Sequence, residues 1–87
     1  MKSRRSKNFR KMFALLPAHI QELAVRNFHL WRKNAAHPSL NFKALDEPDW
    51  SVRVGDHYRA MGAKRPDGSI LWYWIGTHEA YNKQNRR

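Results

Sequence analysis

From Leu16 onward the apolar residues Leu16, Ile20, Leu23, Ala24, Phe28 and Trp31 recur at intervals of three and four, the spacing of one buried helical stripe. His19, Gln21, Glu22, Arg26, Asn27, Arg32 and Lys33 fall mostly outside that stripe, Pro17 suits the first turn, and the His37-Pro38-Ser39 stretch ends the helix. A shorter helical piece over residues 9–15 precedes it and turns back near Pro17. Residues 2–8 are polar and read either as a frayed tail or as a first edge strand.

Beyond Pro38 the period changes from helical to alternating. Leu40 and Phe42 alternate with polar neighbours, as do Trp50, Val52 and Val54 with Ser51 and Arg53; two further strand candidates run over residues 57–64 and 69–76. Asp46-Glu47-Pro48-Asp49, Gly55-Asp56 and the proline-led Arg65-Pro66-Asp67-Gly68-Ser69 mark the turns between them. Helices followed by a meander of strands is an α+β plan for one domain spanning residues 1–87, with residues 1–8 and 84–87 as basic tails. The strand at residues 69–76 is apolar on both faces, which suits a central position, and the run Trp72-Tyr73-Trp74 reads as core packing.

Loop length decides what the charged face of the sheet looks like. A two-residue loop, Gly55-Asp56, pairs Val54 with His57 and puts Arg59 on the apolar face, where an unpaired guanidinium costs several kcal/mol. A three-residue loop ending at His57 pairs Val54 with Tyr58, Val52 with Ala60 and Trp50 with Gly62, and sets Arg53 opposite Arg59 on the other face. The second register is the expectation. Like charges directly opposite destabilise by a few tenths to about 1 kcal/mol, so the pair suggests an anion there, unless the guanidinium groups splay into solvent or pair with Asp56 and Glu79. On an exposed concave face, neutralising Arg59 is expected to cost little stability.

Charge sharpens this. The 87 residues carry 17 Lys and Arg against 7 Asp and Glu, a net charge of +10, which favours a polyanionic partner through phosphate contacts and counterion release. Cysteine is absent, so the core has no disulfide or thiolate zinc site to assist it and a reducing cytoplasm is the natural setting. The basic start leads into an apolar run, Met12–Leu16, shorter than the roughly 7 to 15 residues of a secretory signal. Nothing approaches the ~20 apolar residues of a membrane span.

The last strand leaves through Gly76-Thr77. Thr77 is a candidate N-cap, and a short helix opening there places His78 and Tyr81, three apart, on adjacent surface. An imidazole titrates near neutrality and a phenol can orient a phosphate or donate a proton. The two residues alone leave open whether this is a site or only the end of a strand. The five histidines show no metal-ligand spacing, so neither a metal nor another cofactor is expected.

Residues 40–45 (LNFKAL), 50–62 (WSVRVGDHYRAMG) and 70–81 (ILWYWIGTHEAY), with the preceding helix LLPAHIQELA, together resemble the RelE/ParE superfamily of small toxins from bacterial toxin–antitoxin modules. The resemblance spans about residues 9–83, and its most specific parts are the YRA hairpin and the WIGTH strand end. It implies a small curved antiparallel β-sheet with two N-terminal helices packed on one face and a short C-terminal helix. It also implies a cytoplasmic toxin held neutral by an acidic antitoxin.

Ribonuclease members of that superfamily sit in the ribosomal A site and cut mRNA without a metal, the ribose 2′-oxygen attacking the adjacent phosphate to leave a 2′,3′-cyclic phosphate. The resemblance matches Arg59 to the phosphate-stabilising arginine and His78 to the acid/base position of a histidine-bearing branch, with Tyr81 near a C-terminal aromatic and Arg53 as a supporting cation. Lys43, Lys64, Arg65 and His57 are the further RNA-binding candidates. Other members inhibit DNA gyrase without catalysis, and that activity, or a plain basic nucleic-acid-binding module, is the alternative.

Overall fold

The computed structural model of the chain describes residues 2–84. Its polar start is an edge strand, not a frayed tail: β1 (Ser3–Arg5) lies parallel to β5 (Ile70–Thr77). Ser6 then opens α1 (Lys7–Ala14), its hydroxyl accepting the Phe9 N–H at 3.0 Å. The side-chain amide of Gln21 donates to the Phe13 and Leu16 carbonyls at 3.1 and 3.2 Å and fastens the hairpin between α1 and α2 (Ala18–Lys33). Of the basic tails expected at the two ends, residues 3–8 are thus built into β1 and α1, Gln84 ends the last helix, and residues 85–87 lie outside the described residues.

The helical stripe does what its spacing dictates. Trp31 is buried against Trp72, and Leu16, Leu23, Ala24 and Phe28 pack half-buried on the same core. A 3₁₀ turn at Pro38–Leu40 seats Leu40 in that core before the short β2 (Lys43–Ala44).

β3 (Asp49–Val54) and β4 (Tyr58–Lys64) pair in the register the charge argument selects: Val54 with Tyr58, Val52 with Ala60, Trp50 with Gly62 and Arg53 with Arg59. Glycine is required at position 62 by its other neighbour, β5, because a Cβ there would lie 2.6 Å from Ile70 Cγ2 and 2.9 Å from Trp72 Cε3. The strand order is β1-β5-β4-β3-β2, antiparallel except at β1, so the sheet is mixed within an α+β fold.

β5 carries one irregularity in its pairing with β4. Met61 opposes Trp74 while Gly62 opposes Trp72, so Tyr73 is an extra residue that reverses the face of everything after it. The two helices cover one face, where Val52, Val54, Ala60, Trp72 and Ile75 form the core. The opposite face carries Ser51, Arg53, Arg59 and Met61, and α3 (His78–Gln84) folds back toward it. That face holds the candidate site.

Candidate functional site

The Arg59 guanidinium is held by backbone rather than by a carboxylate. Arg59 Nη1 donates to the Tyr58 carbonyl at 2.7 Å and to the Gly55 carbonyl at 3.2 Å, which ties its guanidinium to the β3–β4 turn. Instead of standing exposed, Arg59 is buried to 9% of its free surface. Asn27 in α2 donates to the Arg53 carbonyl at 3.4 Å, and Arg53 Nε is buried with no hydrogen-bond acceptor. Among the described residues neither guanidinium is in an ion pair with Asp56 or Glu79.

The strand end supplies the other groups. The Thr77 hydroxyl accepts the Ala80 N–H at 3.1 Å, capping α3 as its position in the sequence indicates. The His78 N–H donates to the His57 carbonyl at 2.7 Å, locking the start of α3 onto the same β3–β4 turn that holds Arg59. One turn on, Tyr81 is buried, its ring centroid 6.2 Å from that of exposed His78.

These elements enclose a polar cavity of about 200 Å³ lined by Arg53, Arg59, His78, Tyr81 and Lys43, together with Asn41, Ser51 and Asn82. No carboxylate is among the lining residues. Of the positions singled out in the sequence, Lys43 arrives through the β2–β3 ladder, opposite Ser51. Three others fall elsewhere. His57 contributes only its carbonyl, Lys64 sits at the far end of β4 with its ammonium 5.7 Å over the Trp50 ring, and Arg65 closes the turn to Ser69.

Asn41, Ser51 and Asn82 were not singled out. Ser51 shares strand parity with Arg53, which was a usable signal; Asn41, in a left-handed conformation with φ 42°, and Asn82 reach the cavity through tertiary placement alone. Among the described residues no group of three or more His, Asp or Glu side chains is arranged to hold a metal ion, and no helix is long and apolar enough to cross a membrane.

The family model of the ParE-like toxin domain matches residues 18–83 of the 87. The chain belongs to that family. The ParE-like domain also superposes on solved toxins: the RelB–RelE antitoxin–toxin complex of Methanococcus jannaschii gives a TM-score of 0.71 at 16% identity over 94% of this chain and 98% of that one. The RelE–RelB complex of Pyrococcus horikoshii OT3 gives 0.67 at 13% over 87% and 92%. The RelBE2 complex of Mycobacterium tuberculosis gives 0.65 at 17% over 88% and 96%. No curated protein matches the chain.

Electrostatics make the cavity of this ParE-like domain hungry for an anion. Burial, and then the charge of Arg53, push the Arg59 guanidinium below its ordinary value, while Tyr81 and Asp56 pull it back. A lowered value marks a charged form destabilised by folding, so an anion between the guanidinium groups removes part of that cost. Inorganic phosphate at about ten times its Kd is therefore expected to stabilise the domain by about 1.4 kcal/mol, a rise of about 6 to 11 °C in the unfolding midpoint for a domain this size. The same midpoint in phosphate and in chloride of matched ionic strength would remove the anion site.

Proposed function

We propose that this ParE-like toxin is a metal-independent endoribonuclease that cuts mRNA, in association with the ribosome, and so arrests translation. The observation that carries the reading is the convergence of Arg53, Arg59, Lys43, His78 and Tyr81 on one cavity without a carboxylate. Attack by a ribose 2′-oxygen on the adjacent phosphate needs cations around a phosphorus that gains negative charge, and a group that moves protons at the attacking or leaving oxygen. Arg59, backed by Arg53, meets the phosphate; His78 exchanges the proton; Tyr81 orients the non-bridging oxygens; Lys43 contacts a flanking phosphate. Breaking the bond to the 5′-oxygen leaves a 2′,3′-cyclic phosphate upstream and a 5′-hydroxyl downstream. No step calls for a metal.

An antitoxin is the expected partner, since the solved neighbours from Methanococcus jannaschii and Mycobacterium tuberculosis are toxin–antitoxin complexes, and the net charge of +10 calls for an acidic one. On the helical side, a second recess of about 400 Å³ is lined by apolar side chains including Phe13, Phe28, Trp31 and exposed Val25, with the cations Arg4 and Arg5. Apolar anchors with carboxylates on the arginines are what an amphipathic acidic segment offers.

Induction of the toxin in bacterial cells tests both parts. New transcript 5′ ends inside open reading frames are expected within minutes, and none on co-expression with a neutralising acidic partner. Arrested growth with intact transcripts and broken DNA would replace the ribonuclease by a gyrase inhibitor.

A further inference from the structure

Three of the four tryptophans belong to the core. Trp31 meets Trp72 edge to face at 5.3 Å, and Trp50 stacks on Phe42 at 4.6 Å beneath the helices. Trp74 does not join them. A period of two along β5 would put it on the same face as Trp72, but the extra residue Tyr73 in the pairing with β4 turns it to the opposite face. Bulges beside functional sites re-aim a side chain in this way. There the indole stays only partly buried, its ring 6.3 Å from that of Tyr81, which lines the arginine cavity.

Gly76 sets where the ring lies. It stands opposite Arg59 in the ladder, and a Cβ on it would come within 2.9 Å of Trp74 Cζ2 and 3.0 Å of Cη2. The six-membered ring of the indole therefore lies over bare backbone, directly across from the cation that meets the phosphate. A half-buried aromatic ring beside a pair of guanidinium groups is an arrangement that holds a nucleotide, phosphate on the cations and base on the ring.

We infer that Trp74 is a positioning residue that stacks a base flanking the scissile phosphate, with Gly76 and the bulge at Tyr73 as the devices that present its ring. The inference rests on the ribonuclease reading for which phosphate is scissile, but not for the stack itself. Aromatic stacking is tolerant of base identity, so Trp74 fixes register along RNA without selecting a sequence.

The test measures binding of a short single-stranded RNA, and of an abasic ribose-phosphate strand of the same length, to the chain carrying His78→Ala. With Trp74→Leu added, RNA affinity is expected to fall about tenfold, Trp74→Phe to restore most of it, and abasic-strand affinity to stay constant throughout. Gly76→Ala, which displaces the ring without removing it, is expected to weaken RNA selectively in the same direction. In the otherwise unaltered toxin, Trp74→Leu raises KM for RNA more than it lowers kcat. Equal losses on both strands, an unchanged RNA affinity, or a parent chain that binds RNA no better than the abasic strand would overturn the inference. A selective loss in a toxin that cuts no RNA would keep the stack and discard the ribonuclease; cleavage with KM and affinity unmoved by Trp74→Leu would do the reverse.

Discussion

His78→Ala is expected to slow RNA cleavage by about 10²- to 10⁴-fold, the share that a positioned acid or base contributes to proton transfer, while leaving thermal unfolding where it was. The side chain is exposed, and its part in the fold is the backbone N–H that meets the His57 carbonyl, which alanine keeps. Exposed substitutions of this kind stay within about 0.5 kcal/mol. Arg59→Ala gives a comparable loss of about 10²- to 10³-fold, the effect of removing one donor from a developing anion, but with a different stability signature. It removes the bonds to the Gly55 and Tyr58 carbonyls, at about 1 to 3 kcal/mol. Relief of repulsion with Arg53 returns a few tenths to about 1 kcal/mol of that. Single-turnover cleavage of one defined RNA alongside melting curves separates the two variants. A His78→Ala chain that cuts at the wild-type rate would take the imidazole out of the reaction and leave the gyrase reading in front.

The two halves of this site were not equally legible in the sequence. Strand parity with the cost of burying an arginine selects the Arg53–Arg59 register, because a slip of one residue reverses every side chain and only one slip keeps the core apolar. Thr77 as cap and His78–Tyr81 as neighbours follow from local rules in the same way. What local rules omit is what α3 does next. Tyr81 folds back, so a face read as flat and open is a recess walled on one side by α3, and Arg59 is buried at its base. Lys64 carries as much charge as Lys43, yet five positions along β4 separate it from Arg59, roughly 17 Å at a strand's rise. β1 leaves no periodic signal because three polar residues on a parallel edge resemble a tail, and the bulge at Tyr73 is hidden because residues 70–75 are apolar whichever face they take.

Trp31→Ala is expected to cost about 3 to 5 kcal/mol, a large part of the 5 to 15 kcal/mol that holds such a domain together. Trp31 is the more deeply buried of the two buried residues of α2. Its ring meets Trp72 at 5.3 Å and Phe42 at 5.7 Å edge to face, stacks on Phe28 at 6.1 Å, and is 2% exposed. Alanine leaves a void that opens into the adjacent 400 Å³ recess, so the helices lose their grip on the sheet while α3 and the arginine pair are untouched chemically. Trp31→Phe discriminates the causes. Trp31 Nε1 is buried without an acceptor, and phenylalanine deletes that unsatisfied donor while keeping most of the ring, so its cost falls well below that of alanine. Denaturant unfolding at constant slope measures both, and cleavage per folded molecule is expected to stay normal in each. Equal costs for the two variants would mean that the void is not what destabilises. A loss of cleavage in the folded Trp31→Phe chain would mean that the two faces of the sheet are coupled through β4, and that the cavity around Arg59 depends on the packing beneath it.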